Sequence, residues 1–265
     1  MPERARSSGQ LANGVVYQHL GGDGPPLIVL QGLVADHRPP RGLVARMARA
    51  LYGYLCPRYS VYVLTPRPGI PAGYGMGDLA ADHAAAIAEL AEGPVVLLGT
   101  STGGTIAQHL AAGHPERVRR LVLHATGHTL GERGRRAQRR SAELALAGRW
   151  REAHEEIMAL VLPHMPRPLV QLTAAVMARS SPASASDYAR VIAAEDAHAF
   201  LPRLGEIRAP TLVIDGLADP FFSEAILRET AAGIPGAHAV LYPGQGHAPG
   251  GRAFRRDVGA FLEGR

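Results

Sequence analysis

Short apolar runs alternate with Ala-rich amphipathic stretches along most of the chain. Seven runs read as strands: Val15-Val16-Tyr17, Leu27-Ile28-Val29-Leu30, Val61-Tyr62-Val63-Leu64, Val95-Val96-Leu97-Leu98, Leu121-Val122-Leu123, Leu212-Val213-Ile214 and Ala239-Val240-Leu241. Several are continuously apolar instead of alternating, which is the pattern of strands buried on both faces. Between them the spacing predicts helices near 42–52, 77–92, 103–113, 223–233 and 252–263. Gly93-Pro94, Ala209-Pro210 and Ile234-Pro235-Gly236 mark helix ends and strand starts. Such alternation implies an α/β fold: a mainly parallel sheet with helices on both faces.

The rhythm stops between about residues 128 and 205, a stretch rich in Arg, Ala, Glu, Pro and Ser with no convincing strand. Leu144, Leu146, Trp150, Ile157, Leu160 and Val161 have the spacing of an amphipathic helix pair, which Pro163, Pro166 and Pro168 then break. A helical insertion over one edge of the sheet is the economical reading. The chain carries no internal repeat.

Composition narrows the class. A chain of 265 residues that is 46% hydrophobic suits one large domain, or one with a modest insertion. Aromatics are only 5%, so Ala, Val, Leu and Ile must build the core. All 28 basic residues are Arg, with no Lys, which together with abundant Ala, Gly and Pro points to GC-rich coding more than to selection for charge. The net charge of +5 would favour anionic partners. The basic residues are dispersed, however, and the densest run (Arg133, Arg135, Arg136, Arg139, Arg140) reads as a solvated face, so no nucleic-acid partner is expected. Cys56 stands alone, which excludes an intrachain disulfide. The start Met1–Ser8 is polar, and no stretch reaches the roughly 18 apolar residues of a membrane helix. The expectation is a soluble, cytoplasmic protein with a small-molecule substrate, no membrane partner and an undetermined oligomeric state.

The chemistry concentrates in one motif. Gly99-Thr100-Ser101-Thr102-Gly103 follows the strand Val95–Leu98 directly and opens a helix. A turn that tight exposes a serine in a strained conformation, and its neighbours two residues away must be small, hence Gly99 and Gly103. Gly104 extends the small surface and lets the helix pack closely. A serine hydroxyl attacks poorly until a base takes its proton. His247, in the glycine-rich loop Pro243-Gly244-Gln245-Gly246-His247-Ala248-Pro249, is the one of the 12 histidines placed between the last strand and the last helix.

From about Gly14 to Phe261 the chain resembles the α/β-hydrolase fold superfamily, in its compact branch with a helical cap. The resemblance implies an eight-stranded, mainly parallel sheet. The core would be formed by residues 1–127 and 206–265, with a cap, 128–205, inserted after the sixth strand. It also implies a catalytic triad in the chain order Ser101, Asp219, His247. The acid follows from Pro210–Pro220, where the family places a carboxylate three residues after a Gly beyond the strand; Asp219 fits, and Asp215 is the competitor. The backbone N–H groups of Leu33 and Thr102 match the family's oxyanion hole. Gln31 replaces the usual His of a His-Gly pair, and the Gly-rich segment 68–75 replaces the usual Asp-x-x-Gly-x-Gly loop. Gln31, Tyr74, His124, Trp150 and Phe221 are candidate pocket residues, and Asp36 and His37 read as a solvated loop. His124, His128 and Glu132 have i, i+4 spacing, but the intervening Ala125-Thr126-Gly127 does not favour a helix, so no metal and no cofactor is expected.

A serine in place of an aspartate nucleophile argues against epoxide hydrolase and dehalogenase chemistry. The lack of Lys argues against a cyanohydrin-lyase variant, and Leu33 in place of an aromatic residue against a haloperoxidase. The expected activity is hydrolysis of an ester, lactone or thioester of a mostly apolar small molecule through an acyl-enzyme. Carbon–carbon bond hydrolysis by the same triad, and a non-hydrolytic cyclase-like or ligand-binding use of the fold, stay open as alternatives.

Overall fold

The computed structural model describes residues 7–264, and the polar segment Met1–Arg6 lies outside them. The strands are β1 (Ser8–Gln10), β2 (Val16–Gly21), β3 (Pro26–Leu30), β4 (Ser60–Thr65), β5 (Val95–Thr100), β6 (Val118–His124), β7 (Thr211–Gly216) and β8 (His238–Tyr242). They form one sheet in the order β1-β2-β4-β3-β5-β6-β7-β8. β1 and β2 pair antiparallel with their neighbours and all other pairs are parallel. β1 was not foreseen, because Ser8-Gly9-Gln10 has no apolar run; it exists by pairing with Val16–Gln18.

The helices α1 (Gly42–Tyr52), α2 (Met76–Leu90) and α3 (Thr102–Gly113) follow β3, β4 and β5. Four helices occupy the chain between β6 and β7: α4 (Glu132–Leu146), α5 (Trp150–Val161), α6 (Arg167–Ala178) and α7 (Ser186–Asp196). The chain ends with α8 (Glu224–Gly233) after β7 and α9 (Gly251–Leu262) after β8.

The two faces of the sheet account for its continuous apolar runs. Ile28, Leu30, Leu97, Leu123 and Val213 point into a core with α2 and α3, while Leu27, Val29, Val96, Leu98, Val122 and Ile214 point into a second core with α1 and α9. Burying each such side chain contributes about 1.5–3 kcal/mol, so a single polar substitution in β5 would cost on both sides of the balance.

The insertion has a small core of its own, with Ala142, Leu144, Ala145, Ala153, Tyr188 and Ile192. Ser141 Oγ donates to the Ala153 carbonyl at 2.8 Å and meets Tyr188 Oη at 2.7 Å, so the buried hydroxyls are satisfied. Three sequence expectations need correction here. Leu146 does not join the apolar face; it is 62% exposed at the last position of α4. Pro168 does not break a helix but sits in the first turn of α6, where a missing N–H costs nothing. The Arg run is not uniformly solvated: Arg135 donates to Thr129 Oγ1, to the Leu130 carbonyl and to Asp196, and Arg139 also pairs with Asp196, tying α4 to α7.

What positions the site is the closeness of α3 to the strand ends. A Cβ on Gly103 would lie 2.0 Å from the Leu30 carbonyl oxygen, and one on Gly104 2.2 Å from Thr126 Cγ2. Gly99 is equally closed, its missing Cβ falling 2.6 Å from the Gly103 carbonyl oxygen. Among the described residues no helix is long and apolar enough to cross a membrane.

Gly103→Ala should therefore destabilise the protein by roughly 3 kcal/mol or more, because the Leu30 backbone cannot move aside. Gly113→Ala, at the far end of the same helix with nothing within 4 Å, should be neutral or stabilising by up to about 1 kcal/mol. Thermal or urea unfolding of the two variants checks the pair, and equal losses would contradict it.

Candidate active site

β5 ends at Thr100, and the chain turns into α3 through Ser101, whose φ of 52° and ψ of −123° lie in a region that L-residues rarely occupy. The strain is over-determined: the Ser101 N–H donates to the His124 carbonyl at 2.9 Å, and the Ser101 carbonyl accepts from Gly104 and Thr105. Ala125 and Ala248 are the other non-glycine residues with positive φ among those described, and both flank the same spot, beyond β6 and beside His247. Strain clustered in this way is characteristic of functional sites.

Ser101 Oγ lies 3.1 Å from His247 Nε2, and His247 Nδ1 lies 2.6 Å from Asp219 Oδ2. The three side chains predicted from sequence thus come together from the ends of β5, β7 and β8. Asp219 is oriented by the loop that carries it: its Oδ1 accepts from the Phe221 N–H at 2.6 Å and the Phe222 N–H at 3.2 Å. The acid loop and the histidine loop lock together, with the Ala218 N–H on the Gln245 carbonyl and Gly216 so close that a Cβ would meet that carbonyl oxygen at 2.1 Å. The Phe221 ring lies 4.6 Å from the imidazole.

Burial opposes the charge on Asp219, but its interaction with His247, first the hydrogen bond from Nδ1, outweighs burial and holds the carboxyl below the usual range. Asp215 behaves in the opposite way. Burial, and after it the charge of Asp219, push its carboxyl far up. As a carboxylate its Oδ2 has no donor; as a neutral acid it donates to Asp219, while its Oδ1 accepts from the Gly216 N–H at 2.7 Å. One buried proton thus serves the pair.

The oxyanion side is built from α3 and the loop after β3. Thr102 opens α3, so its N–H belongs to the first turn, which has no intrahelical acceptor and carries the positive end of the helix dipole. Gly32 lies against the elbow, where a Cβ would meet Ser101 Cβ at 3.3 Å, and Leu33 packs against both the sheet core and the insertion's cluster. Gln31 anchors this loop by donating from Nε2 to Thr65 Oγ1 at 2.6 Å.

The other predicted positions fall elsewhere. His124 is fully engaged behind the elbow: its Nε2 lies 3.0 Å from the Pro249 carbonyl, its Nδ1 3.3 Å from Thr100 Oγ1, and its ring packs on Phe254. It supports the His247 loop from beneath and is not free to meet a ligand. Trp150 donates its indole N–H to the Pro182 carbonyl at 3.0 Å and lies against His154 and Tyr188 inside the insertion. Tyr74 packs against the sheet core. His37 is buried, with Nδ1 3.3 Å from the Arg67 carbonyl, which corrects the expectation of a solvated loop; Asp36 pairs with Arg38. His128 pairs with Glu229 at 3.0 Å, and no group of metal-ligating side chains forms among the described residues.

Two residues that the sequence did not single out reach this region. Asp187 of α7 accepts from the N–H groups of Gly69 and Ile70, fixing the Gly-rich loop. Glu195, at the other end of α7, accepts from the Thr102 hydroxyl at 2.7 Å. Neither stands in a motif, and Glu195, followed directly by Asp196, carries no mark in the sequence that sets it apart.

Comparison with known proteins agrees with this architecture. A sequence profile described as alpha/beta hydrolase fold matches residues 25–250. The chain is 32% identical to polyketide synthase ThaQ of Burkholderia thailandensis over 263 residues, an alignment covering 92% of this chain but only 12% of that much longer protein. It is 28% identical over 241 residues to a pimeloyl-[acyl-carrier protein] methyl ester esterase of Chromobacterium violaceum, covering 86% of this chain and 89% of the esterase. In fold it is similar to the enol-lactonase from Burkholderia xenovorans, with a TM-score of 0.78 at 24% identity, covering 95% of this chain and 98% of the lactonase. The chain belongs to the α/β-hydrolase fold family.

Proposed function

We propose that the chain is a serine hydrolase that cleaves an ester, lactone or thioester of a mostly apolar small molecule through an acyl-enzyme on Ser101. The observation that carries this reading is the continuous line from Ser101 Oγ through His247 to Asp219, with contacts of 3.1 and 2.6 Å at a strained elbow. His247 Nε2 takes the Ser101 proton as Oγ bonds to the acyl carbon, and the oxyanion develops toward the N–H groups of Thr102 and Leu33. On collapse the acyl–heteroatom bond breaks and His247 returns the proton to the leaving alcohol or thiol. Water, deprotonated by His247, then attacks the acyl-enzyme, releasing the acid and restoring Ser101. Asp219 holds the tautomer and stabilises the imidazolium. The methyl ester esterase, 28% identical, acts by name on an acyl–oxygen bond, which supports ester cleavage.

Residues 128–205 serve, in the same reading, as a cap that shapes the acyl site. Leu33 packs on its core, and Ile157, Leu160 and Val161 of α5 pack on the cluster containing Phe221. Specificity would then lie in the insertion and in the loops at Leu33 and Phe221.

An active-site phosphonate should label Ser101, and Ser101→Ala should abolish both labelling and turnover of p-nitrophenyl esters and acyl thioesters of graded length. Labelling elsewhere, or activity of the variant within tenfold of wild type, sinks the reading.

The two acids should separate cleanly. Asp219→Asn should lower kcat by about 10⁴-fold, the size of the effect when a triad loses its tautomer. Asp215→Asn, which can still accept from Gly216 and donate to Asp219, should stay within about tenfold. Because folded Asp215 keeps a proton that the unfolded chain releases above about pH 4, it lowers stability progressively as pH rises. The melting temperature of Asp215→Asn relative to wild type should therefore increase between about pH 5 and pH 9. A difference that shrinks with pH would mean that Asp215 is ionised in the folded protein.

A further inference from the structure

Glu195 is the least expected side chain near the elbow. It sits in the last turn of α7, within the insertion, and its exposure is 0%. A carboxyl group removed from water so completely persists only if its oxygens are satisfied. No cation does this. Its partners are neutral: Oε2 accepts from Thr102 Oγ1 at 2.7 Å and from Gln138 Nε2 of α4 at 3.0 Å, while Oε1 lies 3.2 Å from Thr105 Oγ1.

The geometry of this cluster favours the neutral form of the acid. Thr105 has one hydroxyl hydrogen, and the Thr102 carbonyl lies nearer to it, at 2.6 Å, than Glu195 does. With that hydrogen committed to the carbonyl, the contact between Thr105 Oγ1 and Glu195 Oε1 lacks a proton unless Glu195 supplies it. A protonated Glu195 closes the network, donating from Oε1 and accepting twice at Oε2. Burial, which raises the Glu195 pKa against the hydrogen bonds that lower it, acts in the same direction.

Thr102 is the residue after the nucleophile, and Thr105 lies one turn further along α3. Both are held from across the interface by a helix of the insertion. We propose that Glu195 is a positioning residue: its carboxyl group fixes the Thr102 side chain and the first turn of α3, so that the Thr102 N–H is aimed at the developing oxyanion only when the insertion is docked. This rests on Ser101 being the nucleophile and on the Thr102 N–H being an oxyanion donor. The neutral form matters to the chemistry. A carboxylate beside the first turn of α3 would oppose the negative charge that forms on the substrate, whereas a neutral acid gives the same geometry without that penalty.

Three variants test it on p-nitrophenyl acetate, a substrate too small to depend on the shape of an acyl pocket. Glu195→Ala should lower kcat by about 10- to 100-fold with KM within about twofold, because the interaction lost bears on the transition state and not on substrate binding. Its rate of phosphonylation at Ser101 should fall in parallel. Glu195→Gln, an isostere of the neutral acid that donates toward Thr105 and accepts from Thr102, should restore both rates to within about threefold of wild type. Thr102→Val removes the hydroxyl without touching the insertion and should lower kcat about tenfold. It keeps the question open to test if Glu195→Ala does not fold. A folded Glu195→Ala with wild-type kcat, a Glu195→Gln as slow as Glu195→Ala, or a Thr102→Val with wild-type kcat would each overturn the proposal. These outcomes are independent of the Ser101 assignment, which stands or falls on labelling and on Ser101→Ala.

Discussion

Everything at the catalytic end of this sheet depends on how closely the backbone of α3 approaches the ends of β3 and β6. Three side-chain-free positions allow it. Gly99 and Gly103 face each other across the turn, and Gly103 also rests on the Leu30 carbonyl, while Gly104 admits Thr126. The approach forces Ser101 into its positive φ, and the same geometry brings Gly32 and the start of the Leu33 loop against the nucleophile. A conformation of that kind costs on the order of 1–3 kcal/mol. The cost is met by the core beneath it, where Leu97 and Leu98 are fully buried on opposite faces of β5. Strain at the elbow and apolar burial in the strand are therefore two parts of one arrangement: without the second, the first would relax.

Three carboxyl groups sit within the resulting low-dielectric region, and their different fates follow from what each one faces. Asp219 has two backbone N–H donors and an imidazole, enough to keep it ionised against burial. At Asp215 burial and the charge of Asp219 outweigh the backbone hydrogen bonds with Gly216 and Ala248, so its carboxyl is pushed far up. Glu195 has hydroxyl and amide partners only, and burial pushes its carboxyl up, as it does that of Asp215. Of the three, Asp219 is the one whose negative charge its surroundings favour beside the imidazole. That suits a mechanism in which a positive charge must form on His247 while a negative one forms on the substrate, since extra fixed anions would stabilise the first at the expense of the second.

The sheet, the elbow and two of the three residues now found in line were legible because each leaves a local mark. Continuous apolar runs mark strands buried twice, Gly99-x-Ser101-x-Gly103 marks the turn, and a glycine-rich loop carries His247, while Asp219 is chosen over Asp215 only by what the resemblance implies, an acid three residues after Gly216. Contacts made across the chain leave no such mark. His37 and His124 look like polar residues on loops or strand ends, and nothing in their neighbourhoods tells that backbone carbonyls at Arg67 and Pro249 await their rings. Trp150 reads equally well as a pocket wall or as the centre of the insertion's core, because helical spacing fixes a face but not what that face meets. Arg135 illustrates the same limit: within a run of five arginines it is chemically indistinguishable from its neighbours, yet it alone reaches back to Thr129 and Leu130.

The seam between the insertion and the sheet is where these unmarked contacts gather. α7 grips the Gly-rich loop with Asp187 at one end and the nucleophile helix with Glu195 at the other. Its third acid, Asp196, holds α4 through Arg135 and Arg139. A single eleven-residue helix thereby touches the Gly-rich loop, the first turn of α3 and the opening helix of the insertion. The apolar packing at this seam, through Leu33 and the Phe221 cluster, has no directional preference and would tolerate small shifts of the insertion. The hydrogen bonds of α7 do have direction, and the buried ones cannot exchange their partners for water without cost. Moving α7 away from α3 would therefore break the buried contact between Glu195 and Thr102. The exposed helices of the insertion can vary freely under such a constraint, provided that the inner face of α7 is kept.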